Sequence, residues 1–218
     1  SQEERAQRRP YSTANFQRGF YKEQDITNYE INTDFLLSYK EKIGEKFDFR
    51  ASIGGNNMQR NFRLISAEVD GLVIPGVFKL SNGINNPFIA TRDNNRVINS
   101  LYGLVTMSFD EKVYIDISGR NDWSSTLPSG NNSYFYPSVS FSGVFTDLFD
   151  IKSPAGINFG KVRASWARVG NDTRPYRLKN VYSYATPWQN FQAVSEPGSI
   201  PNSNLLPEML DTYELGLN

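Results

Sequence analysis

Neither cysteine nor histidine occurs anywhere in the 218 residues. That double absence removes thiol nucleophiles, serine–histidine triads, ordinary zinc sites and disulfide staples together. Net charge is absent too: 23 Lys plus Arg balance 23 Asp plus Glu, which argues against a chain that holds nucleic acid by neutralising phosphates. A run of about 18 apolar residues, the minimum for a membrane-spanning helix, is missing as well. Ser1–Arg5 has no apolar stretch of the secretory type, so we expect a mature product or an internal piece. Enzyme signatures fail in turn. Gly156–Val162 has phosphate-loop glycines spaced one residue short, with Val162 where Ser or Thr belongs, and no Gly-x-Ser-x-Gly occurs. Asp93-Asn94-Asn95 lacks the rest of a calcium loop. We therefore expect no enzyme, no cofactor and no metal.

Aromatic residues, by contrast, reach 14% of the chain. They fall within segments that alternate at period two, the mark of a strand with one apolar face. Phe47, Phe49, Ala51 and Ile53 alternate with Asp48, Arg50 and Ser52. Val113, Ile115 and Ile117 alternate with Asp116, Ser118 and Arg120, and Val162, Ala164 and Trp166 with Lys161, Arg163 and Ser165. The pattern predicts about seven strands, near 26–41, 46–57, 98–110, 112–121, 135–147, 158–169 and 210–218. Short links (43–44, 110–111, 150–156) alternate with long ones (58–97, 122–134, 170–209). In an up-and-down meander, that arrangement places turns on one rim and elaborate loops on the other. Soluble β domains seldom carry two structureless loops of about forty residues, and their strands are shorter than the 9–11 residues a tilted strand needs to cross hydrocarbon. Periodicity cannot say which face is inside, because a soluble sandwich and a membrane barrel give the same string.

The ordered blocks narrow the choice. Gly119-Arg120-Asn121-Asp122-Trp123-Ser124-Ser125-Thr126-Leu127-Pro128 is followed by Tyr134-Phe135-Tyr136-Pro137-Ser138. Then come Lys161-Val162-Arg163-Ala164-Ser165-Trp166-Ala167, Val169-Gly170-Asn171-Asp172-Thr173, and Asn204-Leu205-Leu206-Pro207-Glu208 leading into Thr212-Tyr213-Glu214-Leu215-Gly216. From about Asn28 onward this series resembles the SusC/RagA family of TonB-dependent outer-membrane transporters of Bacteroidota, with Leu206 where that family usually has Lys. The resemblance implies an all-β fold: an antiparallel, up-and-down transmembrane β-barrel section, about seven strands of a 22-strand barrel, with long loops on the extracellular rim. Residues 1–25 would form an extracellular loop section and residues 26–218 part of the barrel domain. No plug is recognisable, and seven strands cannot close around one, so we expect an internal section of a longer multi-pass outer-membrane protein.

On this resemblance the parent is an importer of oligosaccharides or peptides. Its implied partners are a SusD-like surface lipoprotein as lid, TonB acting through the plug, and outer-membrane lipid. The alternative from another class is a secreted all-β module that binds glycans through its aromatic loops. Asp48, Arg50, Asp116, Arg120 and Arg163 are the candidates to face the lumen. Tyr176, Tyr182, Tyr184, Trp188 and Phe191 offer a polar-aromatic loop surface suited to sugar stacking or to a protein partner. Trp123, Tyr136 and Trp166 are expected as interfacial anchors, a role that needs no ligand. For Arg120, Asn121 and Asp122, fixing the base of a loop by hydrogen bonds is the simpler alternative to binding a solute or cation.

Overall fold

A computed structural model describes residues 1–11, 17–151, 159–188 and 191–218, without the side chains of 185–190. In chain order the strands are β1 (Gln2–Arg9), β2 (Phe20–Ile43), β3 (Phe47–Asp70), β4 (Phe88–Phe109), β5 (Val113–Ser124), β6 (Ser133–Val144), β7 (Lys161–Asn171), β8 (Ser183–Trp188), β9 (Phe191–Ser195) and β10 (Glu208–Leu217). One antiparallel sheet runs in the order β1-β2-β3-β4-β5-β6-β7-β10, while β8 and β9 form a separate hairpin. Neighbours in the sheet are neighbours in sequence apart from that hairpin, as an up-and-down meander requires.

All seven expected strands are present, and their outer limits are corrected. β2 and β3 each run 24 residues, roughly 80 Å at strand rise, against the 9–11 needed to cross hydrocarbon. Residues 58–97, expected as a loop, are mostly the continuation of β3 and β4, and the true connection is 71–87. Residues 1–25, expected as loop, hold β1 and the start of β2. Connection 170–209 contains the β8–β9 hairpin. The reason is common to these differences. Alternation shows only where the two faces of a strand meet unlike surroundings, and Gln59-Arg60-Asn61-Phe62-Arg63 carries no apolar face to read.

The chain divides into two compact units. The first comprises Ser1–Ile31 and Gln59–Arg96. Its buried cluster is Tyr21, Val69 and Leu72, with Tyr11, Phe78 and Leu80 packed against it. The Tyr11 hydroxyl donates to the Leu72 carbonyl, and Lys22 pairs with Glu68 at 2.8 Å. Asn82 braces the tip: its amide donates to the carbonyls of Ile74 (2.9 Å) and Val77 (2.7 Å), and its oxygen accepts from the Ile74 N–H.

The second unit, Asn32–Met58 and Val97–Asn218, holds the two-faced part of the sheet. Directly opposed residues share a face, so the registers of β4 with β5, β5 with β6, β6 with β7 and β7 with β10 define both faces. Met107, Ile115, Phe141, Ala164 and Leu215 follow one another across the apolar face at one level. Thr106, Asp116, Ser140, Ser165 and Glu214 do so across the other. The apolar face is exposed: Leu37, Phe47, Leu101, Ile117, Phe141 and Leu215 all keep more than a third of their surface accessible. Leu36 and Leu104 are apolar exceptions on the polar face.

Candidate functional site

The polar face of the second unit is where the chain gathers chemistry. Ser38 and Ser52 are hydrogen-bonded at 2.8 Å, and Asn56 donates to Asp34 at 2.6 Å, which fixes the register of β2 against β3. Asn57 donates to Asn99 at 2.6 Å, and a Cβ on Gly54 would meet the Tyr102 ring, so even-numbered residues of β3 and β4 share a face. Alternation then carries Asp48 and Arg50 onto the face of Asp116, Arg120 and Arg163. The five residues share a face but not one locus. Asp116 accepts from Thr106 (2.7 Å) and Ser140 (3.3 Å), and Arg163 donates to Asn218 (2.7 Å). Arg120 lies further along β5 in a network of its own.

That network is dense. Arg120 Nε donates to Asp122 Oδ1 at 2.8 Å, its terminal nitrogen donates to Ser100 Oγ at 2.8 Å, and its guanidinium lies over the Tyr102 ring. The Tyr136 hydroxyl donates to the other Asp122 oxygen at 2.6 Å. Asp122 is only 6% exposed, so its charge is held by two partners rather than by water. Two residues on, the buried hydroxyls of Ser124 and Thr126 both donate to the Asp172 carboxylate. Ser125 and Val97 exchange bonds of 2.9 Å. The Gly119–Pro128 block thus ties the β5–β6 connection to the end of β7. Its internal bonds give each Asp122 oxygen a donor. Among the described residues, no group of His, Cys, Asp and Glu is arranged to hold a metal.

Ser100, Tyr102, Ser124, Thr126 and Asp172 are members of these networks that reading the sequence did not single out. Their shared parity with Arg120 and Asp122 was available for the first three. The link from Asp172 back to Thr126, 46 residues away, was not. Trp123 and Trp166 stand on the apolar face, Trp123 opposite Asn99 and Trp166 opposite Tyr213. Tyr136 does not stand with them. It is directly opposite Arg120 on the polar face, with its hydroxyl committed to Asp122. In the last long connection Tyr176, Tyr182, Tyr184 and Phe191 are exposed, and Trp188 lies opposite Phe191 in the hairpin, its side chain outside the described residues.

A two-faced meander of this kind has counterparts among known proteins. Residues 1–218 match the family described as TonB dependent receptor-like, beta-barrel. This chain belongs to the TonB-dependent receptor family. TonB-dependent receptor P26 of Formosa agariphila is 26% identical over 193 residues, covering 85% of this chain and 19% of that protein. The RagAB peptide transporter shares the fold with a TM-score of 0.84 at 21% identity, over 99% of this chain and 24% of the matched one. The RagAB peptide importer in its closed-closed state gives 0.78 at 23% identity, over 91% and 22%. The chain therefore spans about a fifth to a quarter of the relatives it matches. The SusC/RagA resemblance read from ordered sequence blocks and the RagAB fold match point the same way. A TonB-dependent receptor is an outer-membrane β-barrel of a transport family rather than a class of enzyme, and this chain is a section of such a barrel domain.

Proposed function

We propose that the second unit is barrel wall of a SusC-type importer that takes up oligosaccharides or peptides across the outer membrane. In this reading the apolar face touches acyl chains and the polar face, with Asp48, Arg50, Asp116, Arg120 and Arg163, borders the aqueous interior. The observation that carries it is the exposure of large apolar side chains across one whole face of the sheet, from Phe35 in β2 to Leu217 in β10. In water so wide an apolar surface calls for a cover, and hydrocarbon supplies one. Trp123, near the end of β5, is then a ring anchor at headgroup depth, whereas Trp166 shares the row of Ile117 and Val139 and lies nearer mid-depth. The peptide arm rests on fold likeness to RagAB and the oligosaccharide arm on the sequence resemblance. A SusD-like lipoprotein is the proposed lid, with Tyr176, Tyr182, Tyr184, Trp188 and Phe191 offered to it or to the solute. TonB, acting through the parent's plug, is the proposed energy source.

This section has no native cysteine, which makes the test direct. Single cysteines at Ile115, Asp116, Ile117 and Ser118 are placed in the full-length receptor, otherwise free of cysteine, in its membrane. A charged, water-soluble thiol reagent should modify positions 116 and 118 and spare 115 and 117. The opposite alternation, or equal reaction at all four, overturns the assignment of faces.

A further inference from the structure

One corner of the polar face gathers positive charge that no ion pair among the described residues neutralises. The Ser38–Ser52 and Asp34–Asn56 bonds set a β2–β3 register in which Lys40 lies opposite Arg50 and Lys42 opposite Asp48. Both strands leave this corner through the tight 44–46 turn, so it sits at the turn-bearing end of the sheet. Among the described residues Lys40, Lys42 and Arg50 hold no hydrogen bond or ion pair. The next carboxylate along the same row, Asp116, is already occupied by Thr106 and Ser140. Three cations against the single carboxylate of Asp48 leave a net positive corner, and like charges directly opposite each other on a sheet are destabilising. Elsewhere on this face Arg120 is paired with Asp122, and Arg163 is bonded to Asn218. A row of unmatched cations on a water-bearing wall selects what passes it by charge.

We infer that Lys40, Lys42 and Arg50 form a selectivity patch for solutes bearing carboxylates. This deepens the importer reading above and rests on it. The patch favours acidic peptides or uronate-type oligosaccharides, whose shared chemistry is the carboxylate, over neutral analogues of the same size. It acts on passage through the wall rather than on capture at the loops, since it lies at the end of the sheet away from the long connections.

The test is uptake by cells that produce the full-length receptor with its partner lipoprotein. The probes are a fluorescent Glu-rich hexapeptide against its Gln counterpart, and an oligogalacturonate against its methyl ester. Combined Lys40→Gln, Lys42→Gln and Arg50→Gln should lower the acidic-to-neutral uptake ratio by about tenfold in at least one probe pair, and the pair affected identifies the source of the carboxylate. The charge-preserving set Lys40→Arg, Lys42→Arg and Arg50→Lys should keep the ratio. An unchanged ratio in both pairs overturns the proposal. So does an equal fall for acidic and neutral probes, which would mean that the cations hold another part of the receptor. Uptake of none of the four probes by the unaltered receptor overturns this inference and the importer reading together, while the cysteine pattern along β5 tests the faces separately.

Discussion

Asp122 shows how a single side chain settles a neighbourhood. Its carboxylate is nearly buried and receives both Arg120 and Tyr136, so removing it takes one partner from a guanidinium that keeps Ser100 and the hydrogen-bond acceptor from a phenol. Asp122→Ala should therefore cost about 2–4 kcal/mol, more than one bond to a charge but short of a fully buried pair, because water reaches Arg120. Tyr136→Phe removes only one bond to a charge and should cost about 1.5–3 kcal/mol. Denaturant unfolding of the detergent-solubilised receptor gives both values, and a reversed order would show that Tyr136 holds more than this bond. Gly119 makes a second point. A Cβ there would come within 2.9 Å of the outer edge of the Phe135 ring and near no other atom, and because that ring is exposed and can shift, Gly119→Ala should destabilise by no more than about 1 kcal/mol. Combining it with Phe135→Leu should recover part of that loss, and strict additivity would place the strain elsewhere. The sequence marked Gly119-Arg120-Asn121-Asp122 as a block. The partner choices inside it depend on which strands lie alongside β5, and no spacing rule supplies those.

Strands and turns follow a different logic from side chains. The β4–β5 connection is tight, closed by a bond from Lys112 N–H to the Phe109 carbonyl at 2.9 Å, with Asp110 and Glu111 at φ 51° and 56°. Both values lie in the left-handed region, which costs an ordinary L residue roughly 1–2 kcal/mol. Asp110→Asn with Glu111→Gly, the pair such turns prefer, should raise the unfolding midpoint if the turn is as strained as its angles indicate. The side chain of Asp110 offsets part of the strain, because its hydrogen bond with Lys112 holds its carboxyl below the usual carboxylate range. A lowered folded-state pKa means that this contribution is complete above the ordinary Asp value and disappears as pH falls through the lowered one. The stability difference between the native receptor and Asp110→Asn should thus be present at neutral pH and vanish in strong acid; persistence there would remove the ion pair from the account. The membrane-length strands and this turn were readable from alternation and from Asp-Glu placement. The upper halves of β2, β3 and β4 were not, because polar side chains on both faces erase the period-two signal.

Across the whole molecule, the difference between faces is the property that matters. If hydrocarbon covers the apolar face, Ile117→Arg should cost about 2–4 kcal/mol near mid-depth, while Ser118→Arg on the adjacent polar position should cost far less. Folding into lipid vesicles, titrated with urea, measures the pair, and equal costs would contradict a one-sided bilayer. The first unit follows the ordinary rules of a core in water. Leu72 is 1% exposed within the Tyr21–Val69 cluster, so Leu72→Ala should cost about 2–5 kcal/mol locally and speed amide exchange across residues 69–84. Unchanged exchange there would mean that the cluster does not hold the tip together.

By itself the sequence determined the fold class, the number and order of the two-faced strands, the absence of catalytic or metal chemistry of the thiol and histidine kinds, and the transporter family. Each of these is written in local alternation, in residue types that are missing, or in ordered blocks that survive without coordinates. Tertiary structure alone decided that the Tyr136 hydroxyl reaches Asp122 on the neighbouring strand, that Asp172 closes on Ser124 and Thr126, and that Lys40 meets Arg50 unpaired. A strand records in its own residues which face is apolar. It does not record the register of its neighbours, and register is what brings distant charges within bonding distance or leaves them without a partner.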